Sequence, residues 1–169
     1  NAQADANDDT VKQLANALLA KYGETPKLVS AVLPQKIFPP CFNRYTSGET
    51  YGLHVDGAIM RIPNSAEVLR SDMSMTLFLS EPDEYEGGEL VIQTEFGEQR
   101  VKPQAGDAVT YPSSSLHKVT PVTSGVRIAA ITWMQSLVAD THMREILYEL
   151  DQNIQQLMNN DTVSRQQLD

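Results

Sequence analysis

The sequence predicts a mainly β fold, a sandwich, barrel or jelly roll, flanked by a helix at each end. Three observations predict it. Between Lys36 and Ser136, short runs rich in β-branched and aromatic residues alternate with turn residues. No helical pattern of about 10–15 residues separates those runs, which argues against a parallel α/β sheet. Outside that region, apolar residues recur at three- and four-residue spacing, the period of a helix.

The elements follow in order. Residues 1–9, NAQADANDD, are polar and acidic and read as a lead-in. Asp8, Asp9 and Thr10 suit a helix start, and Val11, Leu14, Ala15, Leu18 and Leu19 form one apolar face. A helix is therefore expected over 9–22, ended by Gly23 and Pro26, with a short helical turn over 26–34. Eight β runs follow: Pro40–Tyr45, Thr50–Asp56, Met73–Ser80, Glu89–Thr94, Gln99–Lys102, Asp107–Tyr111, His117–Val122 and Arg127–Ser136. Their breakers include Ser47-Gly48, Gly87-Gly88, Gly97, Pro112 to Ser115 and Ser124-Gly125. Over 140–159, Met143, Ile146, Leu147, Leu150, Ile154, Leu157 and Met158 mark an amphipathic helix. Its apolar stripe is expected to pack on the barrel, with a homodimer contact as the alternative. The last residues, NNDTVSRQQLD, read as exposed. Residues 1–35 are thus a helical lead-in, 36–138 the β domain and 139–169 a C-terminal helix and tail.

Composition sets the outer limits. The 169 residues are 41% hydrophobic and 21% charged, as in an ordinary globular domain. No apolar run of about 18 residues offers a transmembrane helix. Cys41 is the single cysteine, which excludes an internal disulfide framework and suits a reducing, cytoplasmic setting. The formal net charge of −9 opposes binding to a phosphate backbone, so no nucleic-acid partner is expected, and no membrane partner either. The chain opens on Asn1 rather than Met, so the lack of a targeting peptide carries no weight.

Three histidines limit the chemistry: His54, His117 and His142. In a strand, alternate side chains share a face, so His54 and Asp56 point to one side. His117 begins a later run, and a jelly roll brings early and late strands together. Two imidazoles and a carboxylate on one face of a metal leave coordination positions open, as in non-heme Fe(II) oxygenases. The competing reading is a satisfied histidine beside a solvated aspartate. Arg127 opens the run RIAAITWMQS, where Arg127, Ala129, Ile131, Trp133 and Gln135 share a face. Both faces of that run are apolar, so the strand is central, and an arginine at its mouth calls for an anion. A dicarboxylate with one end on the metal and the other on Arg127 answers this. The competing reading is an arginine at a strand end reaching solvent or a protein acid. Tyr45 offers a hydroxyl to a bound acid, or serves as a core aromatic. Trp133 reads as core. Thr76 and Phe78 share a face of undetermined direction. EPDEYEGGE reads as a solvated loop closed by Gly87-Gly88, His142 has no partner in view, and Cys41 reads as a small packed residue.

These residues resemble a known family in order and spacing. The series runs from Tyr45 through Tyr51-Gly-Leu-His54-Val-Asp56 and Met75-Thr-Leu-Phe-Leu-Ser80 to Glu86-Gly-Gly-Glu-Leu-Val91 and Gly106-Asp107. It ends with Ser115-Leu-His117-Lys-Val-Thr-Pro121-Val-Thr-Ser-Gly-Val-Arg127 and Trp133. It resembles the prolyl 4-hydroxylase-like branch of the Fe(II)- and 2-oxoglutarate-dependent dioxygenases, and within it the PKHD-type hydroxylases. The resemblance spans residues 36–140 and implies a double-stranded β-helix. It implies that His54, Asp56 and His117 bind Fe(2+), that Arg127 holds the far carboxylate of 2-oxoglutarate, and that Tyr45 contacts this cosubstrate. O2 would be consumed, succinate and CO2 released, and L-ascorbate would serve as reductant. The chain starts later than a typical member, and Phe78 stands near a position where some relatives carry a tyrosine. The expected partner is a small-molecule or peptidyl substrate. Two rival classes share these residues: a cupin-like non-redox metalloenzyme, and a metal-free β-sandwich binding module.

Overall fold

The structure, a computed structural model, describes residues 1–63 and 65–159. A two-residue strand, β1 (Ala2–Gln3), precedes helix α1 (Asp9–Gly23). Asp8 caps α1 because its carboxylate accepts from the free amides of Thr10 and Val11. Helix α2 (Pro26–Val32) starts on a proline, which needs no amide donor there, and ends at Leu33 with φ +48. Then come β2 (Pro34–Ile37), β3 (Cys41–Tyr45), β4 (Tyr51–His54), β5 (Ile59–Arg61), β6 (Val68–Arg70), β7 (Met73–Phe78), β8 (Tyr85–Gly87) and β9 (Leu90–Thr94). β10 (Gly97–Val101), β11 (Ala108–Pro112), β12 (His117–Val119), β13 (Val122–Gly125), β14 (Arg127–Ser136) and helix α3 (Thr141–Met158) complete the chain.

All strand pairings are antiparallel. The larger sheet runs β1-β3-β14-β7-β11, with β2 also on β14, and the smaller runs β10-β9-β12-β4. Two ribbons, β13-β8 and β5-β6, complete the set. This is a mainly β, jelly-roll-type fold with flanking helices, although its sheets do not join into one closed barrel. Each expected β run contains a strand. The run His117–Val122 divides into β12 and β13 at Thr120 and Pro121, where proline has no amide to give a ladder.

β14 lies between β3 and β7, so both of its faces are covered, as its sequence demanded. One face carries Ala130 and Met134. With Met73, Met75 and Leu77 of β7 they pack against Tyr22 and Val32 of the first two helices. The opposite face carries Arg127, Ile131 and Trp133, which together with Thr76 of β7 line a cavity shared with the smaller sheet. Helix burial of one face therefore determines which side chains reach the site.

α3 flanks the domain by resting on α2, where the Ser30 hydroxyl donates to Asp151 at 2.5 Å. Its inward residue is Arg144, which is buried and donates to the carbonyls of Val138 and Ala139. The expected apolar stripe turns outward: Met143, Ile146 and Leu150 are 50%, 57% and 54% exposed. The reason is steric, since α1 and α2 already occupy the helix-covered face of the large sheet. Residues 160–169, expected to be exposed, lie outside the described residues.

EPDEYEGGE is also more than a solvated loop. It contains β8, and Tyr85 within it is buried. β8 closes on β13, where Gly125 stands opposite Tyr85 at φ +75. An added Cβ at Gly125 would overlap the Glu84 carbonyl and the Tyr85 backbone. Gly125→Ala is expected to cost about 1–3 kcal/mol from the left-handed backbone alone, with the overlap adding to it. Gly23→Ala, at an open helical position, is the control and is expected to stabilise by up to about 1 kcal/mol. Thermal unfolding of the two variants checks this, and an unchanged midpoint for Gly125→Ala would contradict it.

Candidate metal centre and its cavity

β4 alternates as a strand must. Leu53 and Val55 face solvent, while His54 and Asp56 turn inward. β12 pairs antiparallel with β4 in a register that sets His117 directly across from His54. The two imidazole rings lie 4.2 Å apart between centroids. Nδ1 of His54 donates to the Gly52 carbonyl at 2.7 Å, and Nδ1 of His117 donates to the Ser115 carbonyl at 2.9 Å. Both rings thus carry their proton outward and present a bare Nε2 inward. These Nε2 atoms sit 3.6 Å from Oδ1 and 3.7 Å from Oδ2 of Asp56, for His54 and His117 respectively. One ligand atom from each of the three residues lies within 4.8 Å of the others. Burial pulls the His117 imidazole below its ordinary range, which favours the neutral, ligating form. Two imidazoles and a carboxylate, with one ligand atom from each within 4.8 Å of the others, fit a divalent transition metal.

The carboxylate is itself held. The Ser74 hydroxyl donates to Asp56 Oδ2 at 2.5 Å, and the Asp56 amide donates to the Ser113 carbonyl at 3.2 Å.

Arg127 enters the same cavity, of about 220 Å³, from the larger sheet. It is 1% exposed. Its guanidinium carbon lies 5.1 Å from the Tyr45 ring and 5.2 Å from the Phe78 ring, but its Nε and Nη1 have no hydrogen-bond partner. Burial lowers its proton affinity, yet a guanidinium stays charged in a protein. A buried guanidinium with donors to spare matches the two oxygens of a carboxylate. Gly88 helps to make room for it: a Cβ there would sit 3.1 Å from Arg127 Cδ.

Tyr45 stands opposite Arg127 in the β3–β14 pairing and is buried in the cavity wall. Its hydroxyl accepts from Asn1 Nδ2 at 3.1 Å, so its own proton stays free to donate. Burial raises the phenol above its usual range and keeps it neutral. His54, Asp56, His117, Arg127 and Tyr45 therefore share one cavity. Other residues stay apart. His142 is exposed on α3 near Glu145, and Cys41 is half-buried with its thiol pushed up by burial.

Several cavity residues were not foreseen. Trp133, read as core, lines the cavity, and its position on the Arg127 face of β14 was the available signal. Tyr111 packs edge-on against His117 at 4.9 Å, and burial raises its phenol well above the ordinary range. Tyr85 reaches the Arg127 neighbourhood from a stretch whose acidity masked it. Thr76 and Phe78 turn out to face inward, one lining the cavity and one against the guanidinium.

Comparison with known proteins agrees in direction. The profile of the 2OG-Fe(II) oxygenase superfamily matches residues 40–135. A PKHD-type hydroxylase of Alteromonas mediterranea is 68% identical over 169 residues, covering 100% of this chain and 75% of the relative. A PKHD-type hydroxylase of Shewanella frigidimarina is also 68% identical, with the same coverage. Among solved structures, a Pseudomonas putida prolyl-4-hydroxylase superimposes with TM-score 0.54 at 22% identity, over 81% of this chain and 71% of that one. The viral collagen prolyl hydroxylase of Paramecium Bursaria Chlorella virus-1 gives TM-score 0.51 at 15% identity, over 80% of this chain and 79% of that one. These two likenesses establish the fold.

A buried charge without an ion-pair partner should not stabilise the fold. Replacing a poorly paired buried charge by an apolar group is often neutral or stabilising by about 1–4 kcal/mol. Arg127→Met is therefore expected to unfold, without ligands, at or above the wild-type midpoint. A clearly lower midpoint by calorimetry would show that the guanidinium serves the fold instead.

Proposed function

The chain belongs to the 2OG-Fe(II) oxygenase superfamily, and from that premise we propose that His54, Asp56 and His117 hold Fe(II) while Arg127 binds the distal carboxylate of 2-oxoglutarate. The enzyme is a hydroxylase of the PKHD type. When bound, ferrous iron and 2-oxoglutarate supply an O2-dependent oxidation that puts a hydroxyl on a C–H bond and releases succinate and CO2. The observation that carries the assignment is the buried guanidinium of Arg127, with Nε and Nη1 unpaired, in the cavity that His54, Asp56 and His117 also line.

The protein's own part is binding and orientation. The outward Nδ1 protons of His54 and His117 fix each ring and keep Nε2 basic. Arg127 offers a rigid pair of donors that a carboxylate matches in two places. Tyr45, neutral and with a proton to give, adds a donor beside it. Leu90, Val119 and Ile131 supply apolar wall between the two ends, which limits water around the reacting centre.

We assign L-ascorbate the task of keeping the iron ferrous, on the family resemblance alone. The substrate is a small molecule or a peptidyl group, and the net charge of −9 supports a substrate other than nucleic acid. No helix among the described residues is long and apolar enough to cross a membrane. A single cysteine supports a reducing, cytoplasmic setting.

The test is succinate formation from 2-oxoglutarate with Fe(II) and candidate substrates, together with a product mass gain of one oxygen atom. His54→Ala and His117→Ala should each abolish turnover, and full activity in either would sink the ligand assignment. A hydrogen bond to a charged group contributes about 1.5–3 kcal/mol, so Arg127→Ala should raise the KM for 2-oxoglutarate about 10- to 100-fold. An unchanged KM would remove Arg127 from the cosubstrate site.

A further inference from the structure

Three serines from two stretches, Ser71 and Ser74 at the start of β7 and Ser113 after β11, meet behind Asp56. The Ser74 hydroxyl lies 2.5 Å from Asp56 Oδ2 and 2.8 Å from the Ser113 hydroxyl, and Ser71 lies 2.9 Å from Ser113. Ser74 and Ser113 are buried at 0% and 2% exposure. Each hydroxyl has one proton, and an ionised carboxylate only accepts. The Ser74 proton is therefore committed to Asp56. The contact between Ser74 and Ser113 must then be donated by Ser113, and that between Ser113 and Ser71 by Ser71. The result is a one-way chain, Ser71 to Ser113 to Ser74 to Asp56, in which each donor is polarised by the next acceptor.

The chain is anchored in the turn that precedes His117. The Ser113 carbonyl accepts from the Asp56 amide at 3.2 Å, and the Ser113 amide donates to the Asp72 carbonyl at 3.1 Å. Two residues on, the Ser115 carbonyl holds His117 Nδ1 at 2.9 Å. One short stretch, Ser113 to Ser115, thus touches Asp56 directly through its backbone, reaches the Asp56 carboxylate through Ser74, and holds the His117 ring. With Oδ2 engaged by Ser74, the carboxylate oxygen nearest His54 Nε2 is Oδ1, at 3.6 Å.

We propose that Ser113 is a positioning residue for the metal centre, acting through Ser74: it fixes the direction of the Ser74 hydroxyl and so the orientation of the Asp56 carboxylate. The inference rests on Asp56 being a metal ligand. A merely structural role, in which the serines satisfy one another in a packed corner, predicts independent effects on stability and none on metal affinity.

The test is Mn(II) affinity of the metal-free full chain, measured by calorimetry and by the electron paramagnetic resonance of free Mn(II). The proteins are wild type, Ser74→Ala, Ser113→Ala, the double variant and His54→Ala. Loss of a residue that orients a metal ligand typically costs 10- to 100-fold in affinity, so Ser74→Ala should bind about 10- to 100-fold more weakly. Ser113→Ala should lose less, and the double variant should match Ser74→Ala, because Ser113 has nothing to act through once Ser74 is gone. Wild-type affinity in Ser74→Ala, or an undiminished Ser113 effect in the double variant, overturns the proposal. If Ser74→Ala fails to unfold cooperatively, Ser113→Ala carries the test: weaker Mn(II) binding with cooperative unfolding retained supports it, and wild-type binding overturns it. If wild type binds Mn(II) no better than His54→Ala, the metal reading fails and this inference with it. Tight wild-type binding with unaffected serine variants removes this inference alone.

Discussion

Taking a guanidinium out of water costs several kcal/mol unless an anion and well-aimed acceptors replace the lost hydration. Arg127 is buried with neither: two aromatic rings flank it, and two of its donor nitrogens are idle. Much of the surrounding structure is arranged to keep it there. Tyr45 faces it across β3 and β14, Phe78 and Tyr85 approach from β7 and β8, and Gly88 leaves space for its stem.

The metal end of the cavity depends on a different constraint, the pairing register of β4 and β12. A shift by one residue would turn His117 to the opposite face and separate it from His54. That register is held from both sides, since β12 also pairs with β9. The three ligands come from two neighbouring strands of the smaller sheet and the residues that follow them. Arg127 comes from the centre of the larger one. The cavity is therefore the space between two layers, with His54, Asp56 and His117 on one wall and Arg127 on the other, and the distance between them is fixed by sheet packing rather than by loops.

Flanking elements serve this arrangement unequally. α1 and α2 bury one face of β7 and β14 and thereby direct Arg127, Thr76 and Trp133 to the other. α3 packs on α2 through Asp151, holds the segment before it through Arg144, and leaves its apolar stripe outward, a surface that adds nothing to the cavity.

What the sequence determined by itself was local. Strand periodicity put His54 with Asp56 and Arg127 with Trp133, because side-chain alternation depends only on neighbouring residues. Helix spacing located α1 and α3, a short helical turn was expected where α2 lies, and family-like spacing singled out the residues that meet in the cavity. Tertiary structure alone decided which face turned inward, brought Tyr85 and Tyr111 to the site, and sent the α3 stripe to the surface. It also linked Ser71, Ser113 and Ser74 behind Asp56. These outcomes follow from strand register and layer packing, which bring together residues far apart in the chain, and no short-range pattern of amino acids encodes such meetings.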